Sequence, residues 1–168
     1  MKKTAIIYSF NSNKTAKAAE KIVEAFGNIP VEKVNAEEID KKKFLAYDNL
    51  ILGVPTWFDG ELPNYWDEFV PELEDLDLKG KTIALYGLGD QHGYPENFGD
   101  AVGIMYEILV KNGAKVIGFT SAEDYSYEYS RAEINGKFAG LLLDQENQAR
   151  LSGTRIKHWV EDLLKEFK

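Results

Sequence analysis

The sequence predicts an α/β fold with a doubly wound, five-stranded parallel sheet. Five short β-rich segments alternate with helical patterns along the 168 residues, and parallel strands need crossover connections of this kind. The composition, 44% hydrophobic and 29% charged, suits one globular core. We therefore expect a single domain over residues 1–168, with helices on both faces of the sheet.

Each predicted strand is a short run rich in β-branched or aromatic residues. The strands are predicted at Thr4–Tyr8, Val31–Val34, Asn49–Val54, Thr82–Tyr86 and Lys115–Phe119. A further strand-like run, Phe138–Leu143, follows the tyrosine-rich segment Ser121–Lys137. We interpret this segment as an insertion that splits the fifth strand.

Helical patterns fill the gaps between the strands. Helices are predicted at Ala16–Phe26, Asn64–Leu73, Asp100–Lys111 and Arg155–Phe167, with a short one around Glu37–Phe44. The last of them carries one apolar stripe, from Ile156 to Phe167, that would face a core. The resulting order is strand then helix, repeated five times.

The charge is negative and unevenly distributed. The chain has 28 acidic and 20 basic residues, for a net charge of −8. Residues 44–110 alone hold 13 acidic and two basic residues, which is −11. This acidity disfavours binding to nucleic acid or to an anionic membrane. The acidic residues either keep the protein soluble, or they repel negative charge on a ligand bound near them and attract basic partner proteins.

The sequence has no cysteine, which excludes disulfides, thiolate metal sites and a cysteine nucleophile. The apolar run that follows Met1-Lys2-Lys3 is too short for a signal sequence, and no stretch reaches the length of a membrane span. We expect a cytoplasmic protein and predict no metal site.

Ligands of doubly wound sheets bind at the carboxyl ends of the strands, near the point where the strand order reverses. The loops to consider are the first loop, Ser9–Thr15, the second loop, Pro55–Gly60, and the third loop, Gly87–Asp100. The first loop combines hydroxyls, amides and Lys14 just before a helix, which favours either a phosphate site or an ordinary helix cap. Asn13 tolerates a positive φ in such a turn.

The second and third loops carry aromatic side chains beside glycines. Trp57 and Phe58 either cover core or stack on a flat ligand, and Tyr94 offers another flat face. The third loop fails as a dinucleotide fingerprint because His92 stands where the last glycine belongs. Together the three loops indicate a planar ring with a phosphate tail.

Three groups of residues, in order, resemble the long-chain flavodoxins, which carry flavin mononucleotide (FMN). They are Pro55-Thr56-Trp57 with Gly60-Glu61-Leu62, Gly89-Asp90-Gln91 with Gly93-Tyr94 and Asn97-Phe98, and Asn135-Gly136-Lys137-Phe138. The resemblance implies that the first loop holds the phosphate, that Trp57 and Tyr94 sandwich the ring, and that the Gly89-Asp90 region bonds its pyrimidine edge. The implied flavin-binding residues are Ser9, Phe10, Asn11, Ser12, Asn13, Lys14, Thr15, Pro55, Thr56, Trp57, Phe58, Asp59, Gly60, Leu88, Gly89, Asp90, Tyr94, Asn97, Phe98 and Asp100.

The sequence departs from the family pattern in three places. Phe10 replaces a hydroxyl and Asn13 replaces a glycine in the first loop, and Leu88 stands where small or polar residues are common. Either Ser9 and backbone amides compensate for the missing hydroxyl, or the affinity for phosphate is reduced.

The resemblance implies a low-potential one-electron carrier that cycles non-covalently bound FMN between semiquinone and hydroquinone, with no catalytic residue in the protein. The Phe58–Asp59 peptide would turn its carbonyl toward the reduced flavin, and Gly60 would ease that turn. The implied partners are redox proteins with basic docking patches, and we expect a monomer.

Two other functions remain open. One is an FMN-dependent NAD(P)H:quinone reductase of similar fold, which would need an open face on the ring. The other is a flavin-free interaction module whose aromatic residues cover core. A receiver domain is excluded because it needs acidic residues after the first and third strands, where this chain has Tyr8-Ser9 and Val54-Pro55. A tyrosine phosphatase is excluded because it needs a cysteine, and the chain has none.

Overall fold

The computed structural model describes residues 1–168 and contains a central six-stranded sheet with a small second sheet beside it. In chain order the elements are β1 Thr4–Tyr8, α1 Lys14–Ala25, β2 Glu32–Asn35, α2 Lys41–Leu45, β3 Asn49–Gly53, α3 Asn64–Glu74, β4 Thr82–Leu88, α4 Asp100–Lys111, β5 Lys115–Ile117, β6 Thr120–Ser121, β7 Glu133–Ile134, β8 Lys137–Phe138, β9 Leu141–Leu143 and α5 Ala149–Glu166. A 3-10 turn, Ala36–Glu38, joins β2 to α2.

The central sheet is entirely parallel and has the order β2-β1-β3-β4-β5. β5 pairs with the first half of β4, from Thr82 to Ala84, and β9 pairs with its second half, from Tyr86 to Leu88. The two short strands therefore occupy one edge position in succession. This confirms the predicted fold class and the predicted division of the fifth strand.

Several boundaries differ from those predicted. α1 begins at Lys14, so Lys14 and Thr15 belong to its first turn, and β4 continues to Leu88. β5 stops at Ile117 because Gly118 follows with a φ of +82°, a conformation that leaves the strand region. α5 starts at Ala149, before the predicted Arg155; the apolar stripe was clear only from Ile156 onward.

The insertion folds as an antiparallel sheet that the sequence analysis missed. Its strand order is β6-β8-β7, and Asn135-Gly136 forms the turn between β7 and β8, with φ values of +53° and +83°. An Asn-Gly pair is a strong signal for such a two-residue turn. The strands have only two residues each, so no alternation was visible. Phe138, predicted to begin the central strand, belongs to this small sheet.

Helices cover both faces of the central sheet. α1 and α5 contribute side chains such as Ile22 and Trp159 to the core on one face, while α3 and α4 contribute Trp66 and Met105 to the other. Because all central strands run in the same direction, the three loops emerge at one edge. None of the helices is long and apolar enough to span a membrane.

Candidate functional site

The second and third loops enclose a cavity of about 140 Å³. Its walls are Thr56, Phe58, Gly89, Asp90, Tyr94, Asn97, Phe98 and Gly99. The Phe58 and Tyr94 side chains are 76% and 57% exposed, which is unusual for large aromatic residues and leaves flat apolar surface for a ligand. Every wall except Gly99 was predicted from the sequence.

Gly99 was missed, although its position before the predicted start of α4 was a signal. It has a φ of +68° and immediately precedes α4. A Cβ there would lie 2.5 Å from the Leu142 side chain. The residue must therefore be small for the third loop to turn into α4.

The second loop is a tight hairpin with backbone strain at its tip. Trp57 and Glu61 exchange two backbone hydrogen bonds, at 2.8 and 2.7 Å, around the residues 58–60. Phe58 has a φ of +49° and Gly60 a φ of +92°. A positive φ is costly for a bulky residue, so the tip of this hairpin holds strain at Phe58. A reorientation of the Phe58–Asp59 peptide would change the ψ of Phe58 and the φ of Asp59, and it stays a prediction.

Trp57 lies differently from the predicted stacking geometry. It is half-buried against the core, with its ring edge-on to Tyr65 at 5.8 Å and to Phe58 at 6.3 Å. In this conformation Phe58 and Tyr94 line the cavity, whereas Trp57 contacts Phe58 and does not line it. The sandwich of a ring by Trp57 and Tyr94 stays a prediction.

Asp90 folds the third loop around its own carboxylate. Its Oδ1 accepts hydrogen bonds from Gly93 N at 2.8 Å, His92 N at 3.2 Å and Asn147 Nδ2 at 2.8 Å. The Gly93 amide, followed by the Asn147 side chain, holds the pKa of Asp90 below its ordinary value. The ionised form therefore stabilises the loop at every pH above the unfolded pKa.

We expect Asn147→Ala to raise the pKa of Asp90 toward its ordinary value, because one donor to the carboxylate is lost. The lowered pKa of Asp90 stabilises the folded loop at pH values above the unfolded pKa, and this stabilisation is lost as the pH falls through the folded pKa. Because the folded pKa is higher in the variant, its loop should lose order at a higher pH than the native loop does. An NMR titration of the Asp90 carboxyl carbon measures this midpoint. Gln148→Ala removes a neighbouring amide that does not contact Asp90 and should leave it unchanged.

Asp144 is a buried carboxylate that the sequence analysis did not identify. It is fully buried, and its Oδ2 accepts hydrogen bonds from Gln91 N at 3.1 Å, Gln91 Nε2 at 2.7 Å and Asn147 Nδ2 at 2.8 Å. Gln91 Oε1 in turn accepts from Ser126 N in the insertion. Asp144 therefore ties the third loop to the end of β9 and to the insertion. Its place directly after a strand was the only available signal.

The insertion supports the third loop from behind. Pro95 O accepts hydrogen bonds from Glu128 N at 2.8 Å and Tyr129 N at 3.0 Å. Phe98, a cavity wall, packs on Tyr125 and Tyr127 with ring centroids 5.6 and 5.7 Å away. These two tyrosines thus face inward, whereas Tyr129 is 61% exposed.

Five other predicted residues of the second and third loops and of α4 do not line the cavity. They are Pro55, Asp59, Gly60, Leu88 and Asp100. Asp100 is buried and accepts a hydrogen bond from Arg131 N at 2.8 Å, so it joins α4 to the insertion. Gly60 lies against it, and a Cβ there would be 2.6 Å from Asp100 Oδ2. Both residues hold the walls in place.

The first loop forms a separate, neighbouring feature and does not line the cavity. Asn13 has a φ of −79° and does not use the positive φ that its residue type tolerates, since its carbonyl accepts from Lys17 N at 3.1 Å in helical geometry. No side chain caps α1, and the first turn of a helix has N–H groups without intrahelical partners. These donors favour an anion at this end of α1.

The other side chains of the first loop are largely engaged within the protein. Lys14 forms an ion pair with Glu146, and Thr15 is buried, with its carbonyl accepting from Tyr86 Oη at 3.0 Å. Ser12 Oγ donates to Ser9 O at 2.6 Å. The predicted phosphate site therefore depends mainly on backbone N–H groups.

The comparison with known proteins agrees with this architecture. The sequence profile of the flavodoxin family matches residues 6–159. Flavodoxins from Nostoc sp. and Trichodesmium erythraeum are 42% and 44% identical to this chain over 166 and 169 residues, covering 99% of it and 98% and 99% of their own lengths.

Two solved structures are similar over nearly the whole chain. The Fusobacterium nucleatum flavodoxin bound to flavin mononucleotide has a TM-score of 0.95 and 37% identity, with 100% of both chains covered. Oxidised flavodoxin 2 from Bacillus cereus has a TM-score of 0.77 and 30% identity, covering 98% of this chain and 99% of its own. The strand order described above is the one for which flavodoxins are themselves a standard example. The chain belongs to the flavodoxin family.

Proposed function

We propose that this chain is a low-potential one-electron carrier that binds FMN non-covalently at the edge formed by the three loops. The observation that carries the proposal is the cavity between the exposed rings of Phe58 and Tyr94, beside the uncapped start of α1. An aromatic-walled slot suits a planar ring, and free N–H groups suit a phosphate. Bound FMN supplies the electron-transfer chemistry, and the protein positions it and adjusts its electrostatics.

The residues present fit this cofactor. The Tyr65 hydroxyl is buried beside Trp57 and has no hydrogen-bond partner in the protein, which is uncommon and leaves a polar group for a ligand or water. Gly89 lies against Phe98, where a Cβ would be 3.0 Å from the ring, so a larger residue would crowd the cavity wall. Asn97 Nδ2 donates to Asp59 O at 3.2 Å and holds the second and third loops together.

Acidic side chains surround the cavity without counter-ions. Asp59, Glu61 and Glu96 are exposed, and neither they nor Asp90 take part in an ion pair. Their charges oppose the addition of further negative charge to a ligand in the cavity. This repulsion favours a low potential for the second electron that the bound cofactor accepts.

We expect the double variant Asp59→Asn, Glu61→Gln to raise the potential of the second electron by tens of millivolts. The reason is that about 1.4 kcal/mol of relieved repulsion corresponds to roughly 60 mV for one electron. A spectroscopic redox titration measures the shift. Glu72→Gln with Glu74→Gln removes the same charge at the other end of α3 and should change the potential little. Equal shifts in both variants would contradict a local effect.

The same acidic surface favours redox partners that present basic docking patches. Electron transfer to such partners should slow markedly as ionic strength rises, since exposed charges are screened over about 10 Å at 0.1 M salt. Size-exclusion chromatography and cell fractionation would check two further expectations, a monomer and a cytoplasmic location.

A flavin titration followed by a turnover assay tests the proposed function. The apoprotein should quench FMN fluorescence with a 1:1 end point, and the loaded protein should relay electrons from a reductase to an acceptor. Alone with NAD(P)H and a quinone it should show no sustained turnover, because Phe58 and Tyr94 flank the slot. Steady multiple turnover would favour a quinone reductase, and a protein that takes up no FMN would refute the proposal.

A further inference from the structure

Glu37 binds the first loop from outside it. Its Oε2 accepts hydrogen bonds from Ser9 Oγ at 2.9 Å and from Asn11 Nδ2 at 2.6 Å. Both donors belong to the first loop, whereas Glu37 lies in the 3-10 turn after β2. A carboxylate of the protein thus takes two side-chain donors from the loop that would hold a phosphate.

The Asn35 side chain holds this turn against the loop independently of the Glu37 side chain. Asn35 Oδ1 accepts from Phe10 N and from Glu37 N, both at 3.2 Å. The single amide oxygen therefore links the first loop to the turn. A change confined to the Glu37 side chain leaves this link intact.

The loop has few side-chain donors to replace those two. Phe10 has no side-chain donor, is 48% exposed and packs on Tyr8 with ring centroids 5.1 Å apart. Ser12 Oγ is bonded to Ser9 O. An arriving phosphate therefore meets the N–H groups of α1 and the donors that Glu37 already holds.

The charge of Glu37 is not neutralised nearby. It forms no ion pair, and the ammonium group of Lys14 is paired with Glu146. Burial, followed by the charge of Glu37, raises the pKa of Tyr65 in the first turn of α3. A phosphate monoester carries nearly two negative charges at neutral pH, so one bound to Ser9 and Asn11 would be repelled by the charge of Glu37.

We propose that Glu37 competes with the phosphate of the flavin for Ser9 and Asn11, and so sets how strongly this chain distinguishes FMN from riboflavin. The inference rests on the proposed function because it concerns the same ligand. Riboflavin shares the ring with FMN but has no phosphate, so it reports on the cavity alone. The ratio of the two affinities isolates the effect of Glu37.

The test is a calorimetric titration of the apoprotein with FMN and with riboflavin. Glu37→Gln removes the charge but keeps an oxygen that accepts from Ser9 or Asn11. We expect the Kd for FMN to fall about tenfold, with the Kd for riboflavin unchanged within about twofold. Glu38→Gln is the matched control: it removes the same charge from the adjacent exposed position and should alter neither Kd.

A Glu37→Gln variant that binds FMN no more tightly relative to riboflavin than the native chain does would overturn the inference. Weaker binding of FMN would instead make Glu37 a support for the loop, which also overturns it. If the native chain binds neither flavin, the proposed function fails. Titration with inorganic phosphate, followed at the Lys14 and Thr15 amide signals by NMR, then still decides whether Glu37→Gln frees the anion site.

Discussion

Tyr94→Ala should raise the Kd for FMN by about tenfold to a hundredfold while leaving the stability of the apoprotein nearly unchanged. Stacking of a flat ring on an aromatic side chain contributes about 1–3 kcal/mol, and Tyr94 is one of the two exposed rings of the cavity. Its side chain is 57% exposed and donates no side-chain hydrogen bond, so the fold loses little. Fluorescence quenching gives the Kd, and urea unfolding gives the stability.

Trp57→Ala provides an informative contrast. The indole is half-buried against Tyr65, so its loss should lower the free energy of unfolding as well as the affinity. Tyr129→Ala removes an equally exposed tyrosine from the insertion and should leave FMN binding unchanged. Native-like affinity in Tyr94→Ala would exclude Tyr94 from stacking. If Trp57→Ala keeps its affinity for FMN but loses stability, Phe58 and not Trp57 stacks on the flavin ring opposite Tyr94.

Gly103→Ala should destabilise the protein by about 3 kcal/mol, the upper end of the usual cost of overpacking. Gly103 lies in α4, and a Cβ there would be 2.3 Å from the carbonyl carbon and oxygen of Arg131. These are backbone atoms of the insertion and cannot rotate away. The insertion would have to move off α4, which would disturb the hydrogen bond from Arg131 N to Asp100. Chemical denaturation monitored by circular dichroism measures the loss.

Gly153→Ala is the matched control for this prediction. Gly153 lies within α5, and a Cβ there would have no atom within 4 Å. Alanine should therefore stabilise the helix by about 0.5–1 kcal/mol. If Gly103→Ala were also neutral or stabilising, the close packing of the insertion on α4 would be refuted.

The strands were the most predictable part of the fold. Five of them lie close to the predicted runs. β1, β3 and β4 are buried on both faces and are therefore apolar along most of their length, whereas the edge strand β2 is mostly exposed. Helix starts were less predictable, as α1 and α5 show. Their first turns contain polar residues, so the apolar pattern does not mark where these helices begin. Contacts with residues outside each helix, such as Lys14 with Glu146 and Ser152 with Gln145, become visible only in the structure.

The cavity walls were predictable for a different reason. Aromatic residues and glycines in loops after parallel strands are conspicuous, and Phe58, Gly89 and Tyr94 were identified this way. The other four predicted walls, Thr56, Asp90, Asn97 and Phe98, were implied by the resemblance to flavodoxins. Glu37 and Gly103 were missed because nothing in their local sequence marks them, and Asp144 is marked only by its place directly after a strand. Each acts on a partner 26 or more positions away, Asn11, Gln91 and Arg131 respectively.

The sequence by itself determined the order of strands and helices, the division of the fifth strand and the three loops that meet at one edge. These follow from local hydrophobic pattern and from the geometry of parallel sheets. Only the tertiary structure decided that Phe58 faces the cavity, that the insertion supports the third loop and that Glu37 occupies the donors of the first. Such contacts depend on which distant groups come within hydrogen-bonding distance, and this is settled only when the layers pack.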